Sequence, residues 1–138
     1  MAERTYTLPI PVADEASAPF FAGAKQRRLM LVRCAQCGSW RLPGRDRCLD
    51  CWSEEAEWAQ ASGRGKLYTF GVMHQQYHPS FADVIPYNYA IVELAEGPRL
   101  VSNIVDCPND ELRVDMRVEA AYDDVSDETT LVRFRPAP

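Results

Sequence analysis

A chain of 138 residues, 46% of them hydrophobic, suits one compact domain or a small module joined to a slightly larger one. A net charge of −5 argues against general affinity for nucleic acid or for an anionic membrane. No apolar run approaches the roughly 20 residues of a membrane-spanning helix, and residues 1–12 lack the basic start and apolar stretch of a signal peptide. The expectation is a cytoplasmic protein, where thiols stay reduced and five cysteines favour metal binding over disulfides.

Residues 1–16, with Pro9 and Pro11, read as an extended arm. A short helix is predicted over 17–27, with Ser17 as N-cap and Pro19 tolerated in the first turn. Phe20, Phe21 and Ala24 share or adjoin one of its faces. The apolar run 29–32 reads as a strand leading into Cys34. A cysteine-rich segment spans Cys34 to Cys51, and 52–61 lead on to Ser62-Gly63-Arg64-Gly65, a glycine-rich stretch that reads as a flexible hinge. Five strands are predicted beyond it, over 66–74, 87–94, 99–105, 117–122 and 130–135. Ala95-Glu96-Gly97-Pro98 is a tight turn between the second and third, and the acidic run 123–128 reads as a solvated loop between the fourth and fifth. The expected fold is mainly β: an N-terminal arm and helix over 1–28, a zinc ribbon over 29–61, and a five-stranded OB-fold barrel over 62–138. An SH3-like barrel answers to the same strand pattern.

The strongest chemical signal is a pair of C-x-x-C motifs, Cys34-Ala35-Gln36-Cys37 and Cys48-Leu49-Asp50-Cys51. Two intervening residues let both sulfurs of a pair turn toward one ion while backbone N–H groups hydrogen-bond them. Gly38 stands where such a knuckle needs positive φ. Ten residues separate the pairs, enough for a hairpin through Trp40 to Arg45. Four thiolates close the shell of one structural zinc ion and leave no position for substrate. A rubredoxin-like iron site has the same ligand set, and paired disulfides are a third alternative.

Charge is unevenly spread. Between Lys25 and Cys51 there are seven bases against two acids, whereas from Ala82 onward five bases face twelve acids. The basic cluster reads either as a solvated arginine surface or as a seat for a phosphate-bearing ligand or acidic partner. The other reactive side chains point to no active site. Cys107 has no evident base and reads as a small half-buried residue. His74 and His78 read as surface loop residues near Pro79. Tyr68, Phe70, Tyr87 and Tyr89 read as barrel core or interface, or as base-stacking aromatics of a single-strand nucleic-acid binder. Trp40, Trp52 and Trp58 read as packing for the metal segment.

From about Pro19 to Arg135 the chain resembles the zinc-ribbon/OB-fold acyl-CoA-associated family, small partner subunits of thiolase-like enzymes with a rubredoxin-like zinc ribbon. The likeness lies in an ordered series: Pro19-Phe20-Phe21, Cys34-x-x-Cys37-Gly38, Pro43, Arg45, Cys48-x-x-Cys51, then Trp58 and the run from Ser62 to Phe70. Pro86-Tyr87, Ile91-Val92-Glu93-Leu94, Glu96-Gly97 and Leu100-Val101-Ser102-Asn103 continue it. Two places depart from the pattern: Arg27-Arg28 stands where many members have a glycine, and Asp115-Met116-Arg117-Val118 where many have Gly-Met-x-Val. The resemblance implies a non-catalytic subunit in a hetero-oligomer with a thiolase-like or acyltransferase-type enzyme, serving for example the breakdown of aromatic or steroid acyl-CoA. Coenzyme A carries a diphosphate and a 3′-phosphate, and Arg45, Arg47, Arg64 and Lys66 are the candidate contacts beside the ribbon.

Overall fold

The computed structural model describes residues 6–138. The first five residues of the expected arm, and of the stretch read as lacking a signal peptide, lie outside the described residues. Helix α1 (Ala18–Lys25) is shorter than the predicted 17–27 at both ends. Ser17 is the N-cap residue, as expected, but its side chain makes no capping bond to the helix and is tied to Asp14 instead. Asp14 Oδ1 accepts from the Ser17 N–H at 2.8 Å, and Ser17 Oγ accepts from the Asp14 N–H at 3.1 Å, a reciprocal capping box one turn early. Pro19 has no N–H to continue the backbone ladder begun there, so the regular helix starts only at Ala18.

The helix ends in a Schellman motif. Arg28 N donates to Gly23 O at 2.8 Å and Arg27 N to Ala24 O at 3.0 Å, which puts Arg27 in the left-handed region at φ 61°. Glycine is the usual occupant there. Arg27 instead reaches Asp124 with both terminal nitrogens, at 2.9 and 2.7 Å. The arginine and a hydrogen bond from Thr130 Oγ1 hold the Asp124 carboxyl well below the usual carboxylate range. A depressed carboxylate stabilises the fold above its unfolded pKa, and that contribution is lost as pH falls through the depressed value. Arg27→Gly and Arg27→Ala both lose the pair, but only glycine relieves the backbone. Urea unfolding at pH 7 should therefore place Arg27→Gly above Arg27→Ala by about 1 kcal/mol. The wild-type advantage over Arg27→Ala should persist in mild acid and fade only well below the usual carboxylate range.

Three strands form the ribbon sheet in the order β2-β1-β3: β1 (Met30–Cys34), β2 (Trp40–Arg41) and β3 (Ala56–Gln60), both neighbours antiparallel to β1. β3 lies in the stretch that sequence left as a connection. Five strands form the second sheet: β4 (Arg64–Met73), β5 (Tyr87–Leu94), β6 (Arg99–Ser102), β7 (Arg117–Asp124) and β8 (Thr130–Pro136), in the order β6-β5-β4-β7-β8. The sheet curls until its edges meet. Ile104 bridges Phe134 in parallel, Val105 N donates to Phe134 O at 2.8 Å, and Phe134 N donates to Asn103 O at 3.0 Å. A central first strand shared by two hairpins, with the third and fifth strands closing in parallel, is the OB arrangement and not the SH3-like one.

Two expectations need correction. The stretch 62–65 is pinned and is no hinge. Gly63 takes φ 78° and its carbonyl accepts from Ala120 N at 2.7 Å, while Arg64 and Gly65 already belong to β4. Gly65 is there because β5 passes too close for a side chain: a Cβ would sit 2.6 Å from Glu93 O. Nor is the acidic run a solvated loop throughout. Asp123 and Asp124 end β7, Asp123 taking Arg133 Nε at 2.8 Å and Asp124 taking Arg27. One core joins both sheets: Leu29, Leu31 and Ala61 pack in the same buried cluster as Leu67, Val92, Val118 and Phe134. Among the described residues no helix is long and apolar enough to cross a membrane.

Candidate metal centre and the surface beside it

Two backbone knuckles carry the four cysteines, and they are built alike. In the first, Gly38 N donates to Cys34 O and Cys34 N to Ser39 O, at 3.0 and 2.8 Å. In the second, Trp52 N donates to Cys48 O and Cys48 N to Ser53 O, both at 3.0 Å. The fifth residue of each is left-handed: Gly38 at φ 79°, as the sequence predicts, and Trp52 at φ 65°, which no residue type announces. An arginine braces each left-handed residue by its carbonyl. Arg33 Nε reaches Gly38 O at 3.1 Å and Arg47 Nη1 reaches Trp52 O at 3.2 Å. Each guanidinium also lies over an indole, Arg33 over Trp40 and Arg47 over Trp52, at 5.6 Å from the ring centre in both cases.

The sulfurs meet in the middle. Cys34 and Cys51 Sγ are 3.6 Å apart, Cys37 and Cys48 Sγ 3.5 Å, and all four lie within 4.8 Å of one another. Zinc–sulfur bonds of about 2.3 Å in a tetrahedron would set sulfurs about 3.8 Å apart, so the donor set fits the ion. Backbone N–H groups favour the thiolate form. The Cys37 N–H lies 3.5 Å from Cys34 Sγ and pulls that thiol down to about 6. N–H groups of Cys51 and Asp50 lower Cys48 likewise. Although the Ser39 N–H pulls the other way, contact with Cys48 pushes Cys37 up to about 12. Four sulfurs this close cannot all carry charge without a cation among them. Cys34 and Cys48 are buried while Cys37 and Cys51 face outward.

The four candidate phosphate contacts do not form one cluster of unpaired charge. Arg47 is committed to the second knuckle and to Glu54 at 2.6 Å. Lys66 lies 3.5 Å from Glu93 and 3.9 Å from Asp115. Arg45 and Arg64 are exposed and have no carboxylate partner among the described residues. Sequence reasoning missed Arg41. It is buried on β2, gives Nε to Arg45 O at 3.1 Å, and leaves Nη1 without a partner. Its neighbours across the sheet supplied no signal, because burial of an arginine is decided by the docking of the ribbon.

His74 and His78 are exposed, His78 capping a short 3₁₀ turn through Ser80 N. Cys107 is half-buried. Burial, then Glu111 and Asp110, push its thiol up, the reverse of an activated nucleophile. Tyr68 and Tyr89 are exposed, and Arg99 stacks on the Tyr68 ring at 3.8 Å from its centre. Phe70 and Tyr87 are half-buried. Trp40 and Trp58 are half-buried in keeping with the packing role, but Trp52 is 65% exposed, with the Arg47 guanidinium over its ring.

A two-knuckle zinc ribbon docked on an OB barrel through a common core is the class of protein that this fold and site define. Residues 21–57 match the family profile described as "ChsH2, rubredoxin-like zinc ribbon domain", and residues 58–123 that of "ChsH2, C-terminal OB-fold domain". The chain belongs to this ChsH2/DUF35 family. A solved structure titled "Ltp2-ChsH2(DUF35) aldolase" superposes with a TM-score of 0.81 at 39% identity, covering 94% of this chain and 100% of that one. The "Probable enoyl-CoA hydratase alpha subunit" of Thermomonospora curvata is 40% identical over 129 residues; the match covers 94% of this chain but 40% of that protein's length. The "Benzoylsuccinyl-CoA thiolase subunit BbsA" of Thauera aromatica is 32% identical over 113 residues, 82% of this chain and 70% of that one.

Proposed function

We propose that the chain is a non-catalytic, zinc-braced subunit of a thiolase-like enzyme complex that makes or breaks C–C bonds of acyl-CoA. The observation that carries this reading is chemical. The best-organised polar site offers an ion four sulfurs and no open position, so it holds structure and does no chemistry. The remaining thiol, Cys107, is held in its unreactive form. Chemistry must then come from a partner, and the likeness to a thiolase subunit and to a chain of an aldolase complex supports one. The metal is zinc, in keeping with the ribbon profile. The subunit shapes the acyl-CoA site and assembles the oligomer, in the breakdown of aromatic or steroid acyl-CoA.

Co-expression with a thiolase-like protein from the same source should yield a stable complex in which thioester turnover requires the partner. Thioester turnover by the isolated chain at the complex's rate would overturn the reading. Of the candidate CoA contacts, Arg45 and Arg64 are better supported than Arg47 and Lys66, whose charges are already paired. Arg45→Glu and Arg64→Glu in the complex should each raise KM for the CoA substrate about tenfold with kcat little changed, since a charge-assisted hydrogen bond to phosphate contributes about 1.5–3 kcal/mol.

A further inference from the structure

The barrel covers its sheet edges and the ribbon does not. In the barrel, Ile104 bridges β8, and residues 6–9 of the arm lie across one end, where they wall a cleft of about 640 Å³ and Arg133 Nη2 donates to the Tyr6 hydroxyl at 3.5 Å. In the ribbon, β2 is two residues long, too short to receive another strand. The opposite edge, β3, has five residues, and no described element lies alongside it.

The pairing register tells which backbone groups of β3 are left over. Ala35 N donates to Glu55 O at 3.0 Å and Ala61 N to Leu29 O at 2.8 Å, with Arg33 opposite Glu57 and Leu31 opposite Ala59 between them. In an antiparallel pair the hydrogen-bonded positions alternate. Residues 55, 57, 59 and 61 therefore point their N–H and carbonyl groups at β1, and Ala56, Trp58 and Gln60 point theirs away from the sheet. Those three residues present a row of donors and acceptors in unbroken register. Such edges are commonly blunted by a proline, a lysine or a bulge; β3 has none of these, and its one charge is Glu57. Ala56, Glu57 and Gln60 are exposed, so nothing described covers the row.

Charge decides what fits there. Glu55 and Glu57, two positions apart, share one face of the strand. Neither has an ion pair or a side-chain hydrogen bond among the described residues. Arg33, opposite Glu57, gives its guanidinium to Gly38 O and the Trp40 ring instead. The other face carries half-buried Trp58, opposite Val32, between Ala56 and Gln60.

We propose that β3 receives an extended segment of a partner protein as an added strand, with lysine or arginine beside Glu55 and Glu57 and apolar side chains at the alternate positions beside Trp58. The incoming backbone satisfies the outward groups of Ala56, Trp58 and Gln60, and its basic side chains meet the two carboxylates. A second copy is a poor occupant, since it brings two more unpaired carboxylates and another net charge of −5 to the same edge. This surface belongs to the chain alone, so its test is independent of the thiolase-subunit reading.

The probe is the peptide acetyl-Lys-Val-Lys-Val-Lys-Val-Lys-amide, with the matching Glu-Val peptide as control, titrated at pH 7 and low salt into the zinc-loaded full chain. Without peptide, amide hydrogen exchange should alternate along β3, fast at Ala56, Trp58 and Gln60 and slow at Glu57 and Ala59. The lysine peptide should bind with a Kd of about millimolar, and at about ten times that concentration should slow exchange at the three outward amides about tenfold. The glutamate peptide should bind about tenfold or more weakly. Glu55→Lys together with Glu57→Lys should reverse the preference between the two peptides. Ala56→Pro removes one outward N–H and no bond to β1, and should weaken the lysine peptide about fivefold or more. One zinc per chain in each variant reports a folded ribbon, and the charge reversal, which leaves the backbone untouched, decides alone if the proline unfolds it. Slow exchange at Trp58 in the free chain, no protection up to about 10 mM peptide, equal binding of the two peptides or an unreversed preference would each overturn the proposal. So would protection of the same amides that rises with protein concentration alone, the sign of a second copy.

Discussion

Stripping the metal from this protein should unfold the ribbon. The ribbon sheet has one strand of two residues and two of five, and its inward contribution to the common core is Leu29, Leu31 and Ala61. So little apolar surface cannot offset the ordering of some thirty residues. A structural zinc site supplies about 10–16 kcal/mol of binding free energy at neutral pH, which becomes folding free energy. Cys48→Ser removes a buried ligand and should lose the metal, lowering the thermal midpoint by more than about 10 °C. A colorimetric metal assay on denatured wild type should return one zinc per chain. Native protein that holds no metal, and whose four thiols all react freely with a thiol reagent, would end the zinc reading. The same site sets a pH dependence. The Cys34 pKa lies below its ordinary value of 9.0, at about 6, so its contribution is full above the ordinary value and lost as pH falls through the folded one. That value is the metal-free thiol's; with the ion bound, protons compete with zinc for all four thiolates, so acid should release zinc and realkalinisation with zinc present should restore the fold.

Phe134→Ala should be the most damaging single change in the barrel, at about 3–5 kcal/mol in urea unfolding. The ring is 0% exposed, and the residue's own N–H and carbonyl close the barrel against Asn103 and Val105. Truncation leaves a cavity at the seam, where among the described residues one isolated bridge and its hydrogen bonds hold the edges together. Because Leu29 and Leu31 of the ribbon side pack in the same cluster, wild type should unfold in one transition, and Phe134→Ala should lower the midpoint of that single transition. Zinc content should stay at one per chain in the folded variant, which separates this effect from metal loss. Two resolved transitions in the wild type would show that the ribbon and barrel are energetically independent.

Much of the molecule could be read from local pattern. β5 runs over the predicted 87–94 because the run is rich in aromatic and β-branched residues and a tight turn follows, although the face that is buried, Asn88, Ala90, Val92 and Leu94, is not one that polarity marks. The N-terminal bounds of β7 and β8 follow for similar reasons. β3 was missed because it is a ribbon edge with no alternation of burial to betray it. β6 ends short of its predicted residue 105 because the chain leaves the hairpin after Ser102 to bridge β8. Ser17 is the N-cap residue as expected, but its side chain caps no helix N–H because it is tied to Asp14 one turn earlier.

The amino-acid sequence by itself determined the quartet of thiolates, the positive φ of Gly38 and the number of barrel strands, since each depends on spacing or periodicity over a few residues. Tertiary structure alone decided that Trp52 and Arg27 take left-handed backbone, that Asp124 is paired and not solvated, and that an arm and a barrel mouth enclose a cleft. The physical reason is reach: Arg27 and Asp124 are 97 positions apart, and Tyr6 and Arg133 are 127. The free energy that strains a turn or aims a guanidinium comes from partners that meet only after the sheet has curled and closed.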